Sequence, residues 1–309
     1  MKLILLHPEI PQALKFQTSL KAQNTGFRVV ISLDNVAPEL VEVAIIWLTV
    51  QDYLQRLPNL KLLLICGSGV DHIINAKSLP RHISLVRLVD PYLRNHFSDY
   101  VVKTIVQHVL SKEEPLRSKC TSHWTGGNLV FPLPKVGLMG LGLVGEATAI
   151  KLVAMGFDVC GWVRTSRPRI LPEVYVEKEA LGDFAQQSEI IVCQLPLTKD
   201  TVGILNTRLF AQLPRGAYLV NVARGAHLNE ADLLSALDTC QLSGACLDVI
   251  NEEIPPANHR FGSHPKITLT PHIAGTLEPE QQAIYSAKII ACYYRGESLA
   301  GIVDYHACY

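Results

Sequence analysis

The sequence predicts an α/β chain made of two successive series of βα units, the second a doubly wound parallel sheet. Three observations predict it. Short apolar runs alternate with longer amphipathic or polar segments from end to end, a Gly/Pro-rich stretch from Thr125 to Pro134 breaks that rhythm once, and a glycine-rich turn follows the first apolar run after the break. At 309 residues the chain has the length of about two domains.

In the first series the apolar runs are Leu3–Leu6, Phe27–Leu33, Val43–Leu48, Leu60–Cys66 and Ile83–Leu88. Each is nearly unbroken, as expected of strands covered on both faces of a parallel sheet. A helical stretch follows, with Tyr100, Val101, Ile105, Val109 and Leu110 at spacings near 3.6. Beyond the break, strands are predicted at Lys135–Met139, Phe157–Val163, Glu189–Leu195, Ala217–Val222, Gly244–Val249 and Ile267–Thr270, with helical segments such as Glu230–Leu237 between them. Six strands match a doubly wound nucleotide-binding sheet. The last amphipathic segment, Glu280 to Tyr294, has no strand after it, so it is expected to leave the second domain and pack on the first. The first domain is then discontinuous, 1–96 plus 276–309, around a second domain at 97–275.

Composition narrows the function. With 28 Lys+Arg against 28 Asp+Glu there is no excess charge to hold a nucleic acid or an anionic membrane. Hydrophobic residues at 48% and charged residues at 18% describe a packed core rather than a disordered chain. The run Leu3–Leu6 is too short for a signal-peptide core, and no apolar run is long enough to span a bilayer. The eight cysteines form no CxxC pair, and Cys66, Cys160 and Cys193 lie inside strand-like runs. A cytoplasmic protein with reduced thiols is expected.

Gly140-Leu141-Gly142-Leu143-Val144-Gly145 is a GxGxxG between an apolar strand and a helix containing Ala147, Ala149 and Leu152. That is the context of a dinucleotide phosphate loop. Gly140 permits the turn, Gly142 lets the pyrophosphate approach the main chain, and Gly145 lets helix and strand pack closely, with helix amides aimed at the anion. About twenty residues onward, where an NAD-selective site carries a carboxylate, the chain reads Trp162-Val163-Arg164-Thr165-Ser166-Arg167. Arginines and hydroxyls suit a 2′-phosphate, so NADPH is expected over NADH; the competing reading is solvated loop arginines.

Ligands of open parallel sheets bind beyond the carboxyl ends of the strands. Arg224, Glu253 and His272 each stand just past a predicted strand. Hydride delivery to a ketone builds negative charge on its oxygen, so the site needs a proton donor and a fixed cation. His272 fits the acid, Glu253 the carboxylate that orients it, and Arg224 the planar fork for a substrate carboxylate. Taken singly each has an ordinary structural explanation. A metal site from His259, His264 and His272 matches no zinc spacing, and none is expected.

These pieces, with Cys66-Gly67-Ser68-Gly69-Val70-Asp71-His72, Leu195-Pro196-Leu197-Thr198, Asn221-Val222-Ala223-Arg224-Gly225, Leu247-Asp248-Val249 and Thr270-Pro271-His272-Ile273-Ala274, resemble the D-isomer-specific 2-hydroxyacid dehydrogenases, most closely the glyoxylate/hydroxypyruvate reductase A branch. The resemblance covers nearly the whole chain. It implies a Rossmann-type cofactor domain inserted into a smaller flavodoxin-like substrate domain, an active site in the cleft, and homodimers formed through the cofactor domain. It implies NADPH-dependent reduction of glyoxylate or hydroxypyruvate, with Arg224 binding substrate, His272 as acid/base and Glu253 as its partner. Backbone amides around Ser68, Gly69 and Val70 would hold the substrate carboxylate, Trp47 would line the pocket, and Trp162, Leu195, Pro196, Val222, Ala223 and Asp248 would border the cofactor. The tail from Gly301 to Tyr309 is also similar to the branch. Ile254 in place of the usual proline, Asp99 in place of a common glutamate, and the Pro91–Phe97 segment depart from it. Rival readings are an NADH-linked relative of other specificity and a non-catalytic, nucleotide-sensing corepressor-like scaffold.

Overall fold

The computed structural model describes residues 3–7, 10, 12–23, 26–34, 36–47, 54–74, 82–112, 132–166, 171, 173–251 and 259–304. Glu253, Ile254, Arg167, Leu48, most of the Thr125–Pro134 break and the tail after Asp304 lie outside them. The chain divides into two compact units, Met1–Leu93 with Gly275–Tyr309, and Arg94–Ala274. Among the described residues the α-helices are α1 (Ala13–Ala22), α2 (Asp71–Ile74), α3 (Pro91–Ser111), α4 (Leu143–Ala154), α5 (Leu181–Gln186), α6 (Thr207–Phe210), α7 (Glu230–Asp238) and α8 (Pro279–Arg295).

The first unit holds strands β1 (Leu3–Leu6), β2 (Arg28–Val30), β3 (Val41–Ile46), β4 (Leu62–Ile65) and β5 (Ser84–Arg87) in the parallel order β2-β1-β3-β4-β5. This is the flavodoxin-type doubly wound order. Successive residues of β1 serve opposite faces: Ile4 and Leu6 pack with Phe16 and Leu20 of α1 and with Ile289 and Ile290 of α8, whereas Leu3 and Leu5 pack with Leu60, Ile73 and Val303. Helix α8 starts at Pro279, whose fixed φ suits a first turn, and stops at Gly296, which takes φ 70°. It closes this unit against α1, as its position after the last strand predicts.

The second unit holds β6 (Val136–Met139), β7 (Val159–Val163), β8 (Val174–Val176), β9 (Ile190–Cys193), β10 (Ala217–Asn221), β11 (Leu242–Leu247) and β12 (Ile267–Leu269), all parallel, in the order β12-β11-β10-β9-β6-β7-β8. The six expected strands become seven. Strand β8 is a three-residue edge strand, Val174–Val176, paired only with β7 and half-buried throughout, so its apolar run is too short for a sequence to announce it. Val136, Leu138 and Val220 face Val101 and Ile105 of α3 and Leu152 of α4, whereas Met139, Ile191 and Leu219 face Phe184, Leu209 and Leu233 of α5, α6 and α7. The sheet is thus covered on both sides by helices, which explains its unbroken apolar runs.

The passage between units falls inside α3, between Leu93 and Arg94. The Pro91–Phe97 segment forms the first turns of that helix, with proline at its start. The described cysteines carry no disulfide, and four of them, Cys66, Cys160, Cys193 and Cys246, are buried. No described helix is long and apolar enough to cross a membrane.

Candidate functional site

The carboxyl ends of the second sheet form one row, laced across by main-chain hydrogen bonds. The His272 amide donates to the Asp248 carbonyl and the Asp248 amide to that of Asn221, both at 3.0 Å; the Val222 amide reaches the Cys193 carbonyl at 3.3 Å. The Gln194 amide donates to Met139 at 3.0 Å and Gly140 to Trp162 at 2.9 Å. The loops after β12, β11, β10, β9, β6 and β7 therefore continue the sheet's own order past its edge. At about 4.8 Å per strand this row is roughly 24 Å long, and the His272 and Arg224 loops stand two strands, roughly 10 Å, apart. The chain leaves β6 for β7 on one side and returns to β9 on the other, which makes β6/β9 the switch point where such sheets bind their ligands.

The glycine turn occupies that switch point. Gly140 takes φ 97°, open to glycine and strained for any other residue. A Cβ on Gly145 would land on the Gly140 carbonyl, so only glycine lets α4 start this close to β6. A Cβ on Gly142 would meet no described atom within 4 Å, and Gly142 is the residue before α4, whose first hydrogen bond runs from the Glu146 amide to the Gly142 carbonyl at 2.9 Å. The amides of Leu143, Val144 and Gly145 precede that first bond and face the end of the helix, where an anion is favoured. One glycine for the turn, one for packing and one opening on free space is the arrangement a pyrophosphate requires. Past β7, Arg164, Thr165 and Ser166 are exposed. Trp162 is 7% exposed, packs in the core and donates its indole N–H to the Glu177 carbonyl at 2.7 Å; it supports this loop from below.

The Arg224 loop is clamped by residues that the sequence reading leaves unassigned. Asn221, fully buried, donates its side-chain amide to the Arg224 carbonyl at 3.0 Å and accepts from the Ala223 amide at 3.2 Å. His227, also fully buried, has one ring nitrogen 3.2 Å from the Arg224 carbonyl and the other 3.4 Å from that of Pro196. Pro196 thereby joins the β9 loop to the β10 loop; Leu195 beside it is half-buried, and Val222 and Ala223 are buried beneath Arg224. Arg224 itself is half-buried and donates from one guanidinium nitrogen to the Ala223 carbonyl at 2.8 Å. A Cβ on Gly225 would overlap the main chain of Ile250 and Asn251, so the β10 loop and the segment leading to Glu253 touch backbone to backbone.

His272 is exposed, in a left-handed conformation at φ 53°, which costs a β-carbon residue about 1 kcal/mol or more. Its amide is shared between the carbonyls of Asp248 and Thr270, each at 3.0 Å. The resemblance puts Asp248 beside the cofactor; in the structure its carboxylate, 2% exposed, is turned onto the His272 loop. One oxygen accepts from the Thr270 hydroxyl at 2.7 Å and the Ile273 amide at 2.9 Å, and the other from the Ala274 amide at 2.9 Å. A buried carboxylate is stable only when several donors converge on it, and these come from residues on both sides of His272.

In the first unit, Gly67, Ser68, Gly69 and Val70 follow β4. The Ser68 carbonyl accepts from Arg87 at 3.3 Å, Leu88 donates to the Gly67 carbonyl at 2.9 Å, and Val70 starts α2. The amides of Ser68, Gly69 and Val70 donate to no described backbone oxygen. Trp47, half-buried after β3, lays its ring 3.4 Å from where a Cβ on Gly67 would stand, and its carbonyl is 2.9 Å from His72 Nε2. Among the described residues no cluster of His, Cys, Asp and Glu could hold a metal ion.

Residues 129–274 match the NAD-binding domain of the D-isomer-specific 2-hydroxyacid dehydrogenases. Glyoxylate/hydroxypyruvate reductase A of Yersinia enterocolitica is 35% identical over 84% of this chain and 85% of its own length. A D-isomer-specific 2-hydroxyacid dehydrogenase of Xanthobacter autotrophicus, solved with NADPH and MES, superposes with a TM-score of 0.89 at 31% identity, covering 100% of this chain and 99% of that one. The NADPH-dependent glyoxylate/hydroxypyruvate reductase of Sinorhizobium meliloti, solved with NADP and sulfate, gives 0.89 at 30% identity and covers both chains fully. With its two parallel sheets, its glycine turn at the switch point and relatives matched over most of their length, the chain belongs to the D-isomer-specific 2-hydroxyacid dehydrogenase family of oxidoreductases.

Proposed function

We propose that the protein is an NADPH-dependent reductase of a small 2-oxo acid, glyoxylate or hydroxypyruvate, with residues 97–275 as its cofactor domain and 1–96 plus 276–309 as its substrate domain. The observation that carries the reading is the single laced edge on which the glycine turn, Arg224 and His272 stand in strand order. Bound NADPH supplies the hydride to the carbonyl carbon. Gly140, Gly142, Leu143, Val144 and Gly145 would hold its pyrophosphate, while Leu195, Pro196, Val222 and Ala223 border it toward the His272 side. Arg224 takes the substrate carboxylate with its planar fork and draws electron density from the carbonyl; within the first unit, the amides of Ser68, Gly69 and Val70 and the ring of Trp47 are the substrate-binding candidates. His272 gives its proton to the carbonyl oxygen as charge builds there, and Glu253 keeps the ring oriented and charged.

Arg164, Thr165, Ser166 and Arg167 would receive a 2′-phosphate on the β7 side of the turn. NADPH should then surpass NADH in kcat/KM by tenfold or more, about 1.4 kcal/mol, and Arg164→Ala should close much of that gap. Steady-state assays of glyoxylate, hydroxypyruvate and pyruvate against both cofactors check this; equal efficiency with the two would remove the phosphate role. Arg224→Lys, which keeps the charge and loses the fork, should lower kcat/KM at least tenfold. An unchanged value refutes bidentate binding.

The reading takes the enzyme as a cytoplasmic homodimer. Leu110 of α3 and Ile150 and Val153 of α4, with Met155 just past α4, are about half exposed, and Leu110 and Met155 border one open apolar depression with Val102 and Val106. A second copy covering this face is supported by its apolar character. Met155→Glu should then shift the protein to monomer in sedimentation experiments, and a variant as dimeric as the parent would move the interface elsewhere.

A further inference from the structure

We propose that Tyr100 is a positioning residue for His272, acting through a one-way chain of hydrogen bonds from helix α3 to the Asp248 carboxylate. This rests on the acid role given to His272 above. Tyr100 lies on α3, the helix by which the chain enters the second unit. Its phenol oxygen is 2.6 Å from the Thr270 hydroxyl oxygen and 3.6 Å from Cys246 Sγ, and the Thr270 hydroxyl is 2.7 Å from Asp248 Oδ1.

Proton counting gives the chain its direction. An ionised carboxylate only accepts, so the single Thr270 proton points at Asp248. Thr270 can then only accept on its other side, and Tyr100 must be the donor. Burial raises the pKa of the Tyr100 phenol well above its ordinary range, which keeps that proton in place. Every bond in the chain is thus used in one sense, and each strengthens the next.

The chain ends where His272 is held. Thr270 is the residue after β12, and its carbonyl accepts the His272 amide; Asp248 accepts the amides that follow His272. A left-handed histidine persists only where its surroundings over-determine it. With the Tyr100 hydroxyl gone, the Thr270 hydroxyl is free to turn to its other favoured rotamer, and Asp248 loses a donor on the strand side of His272. Phenylalanine would still fill the space between α3 and β11, so the hydroxyl rather than the ring carries the effect.

The test compares Tyr100→Phe, Thr270→Val, Thr270→Ser and the double variant Tyr100→Phe/Thr270→Val, and repeats Tyr100→Phe in a His272→Ala background. We expect Tyr100→Phe and Thr270→Val each to lower kcat about 3- to 30-fold with the dissociation constant for NADPH little changed; the melting temperature should stay near the parent's in Tyr100→Phe and fall by a few degrees in Thr270→Val, which loses a hydrogen bond to the buried carboxylate. The double variant should be no slower than the slower single, Thr270→Ser should recover kcat, and Tyr100→Phe should cause no further loss once His272 is absent. Full turnover in Tyr100→Phe, losses that multiply in the double variant, or the same fold-loss in the His272→Ala background would each overturn the proposal. Near-normal turnover in His272→Ala alone would instead remove the acid assignment, and with it the chain's target.

Discussion

Replacing His272 by alanine should lower kcat by roughly 10²–10⁴-fold while leaving the affinity for NADPH within about twofold of the parent. The two expectations separate because the structure separates them. The phosphate-binding turn follows β6, and His272 follows β12, four strands along the sheet. The loop around His272 is fastened by main-chain groups, the amides of residues 272, 273 and 274, none of which a side-chain truncation touches. Alanine therefore removes the imidazole without removing the loop. Glycine at the same position sharpens the test, because φ 53° is open to it at no steric cost. His272→Gly should fold about as stably as the parent, since relief of the left-handed backbone is offset by a more flexible unfolded chain, and should still be inactive. Stopped-flow hydride transfer with glyoxylate and fluorescence titration with NADPH read the two quantities separately. Turnover within tenfold of the parent in both variants would assign the proton to another group.

Both sheets were legible because their apolar runs are unbroken, and the runs are unbroken because helices cover both faces. Leu3–Leu6, Val136–Met139 and Ile190–Cys193 are each buried along their whole length. Strand β8 was not, since an edge strand with half-buried residues has no such constraint. The glycine turn was legible for a different reason: Gly140, Gly142 and Gly145 each answer a separate steric demand, and no other residue type satisfies the first and third. What the sequence did not disclose is the bracing. Tyr100 meets Thr270 across 170 positions, and His227 meets Pro196 across 31. Contacts of that range depend on which strands become neighbours, and local pattern says nothing about it. A polar residue at or just past a predicted strand end, buried as Asn221 and His227 are or half-buried as Thr270 is, is the signal that points to them.

Asp248 supplies the second large effect. Its two oxygens receive a hydroxyl and two amides from both sides of His272 in an environment closed to water. Hydrogen bonds to a buried charge contribute about 1.5–3 kcal/mol each, less than additively, and every donor left without a partner adds a desolvation cost. Asp248→Ala should thus cost about 3–5 kcal/mol and lower the melting temperature of the second unit by roughly 10 °C. Asparagine, the nearest match in shape, should do little better. All three partners are donors, so whichever side receives the Asn amino group sets donor against donor, and at least one bond is lost in either orientation. Turnover should fall at least tenfold in both variants, because the loop that carries His272 loses its anchor, while the glycine turn four strands away keeps its hold on NADPH. Calorimetry and steady-state assays of the two variants side by side decide the matter. If Asp248→Asn matches the parent in melting temperature and kcat, the carboxylate is dispensable and the loop is held by main-chain bonds alone.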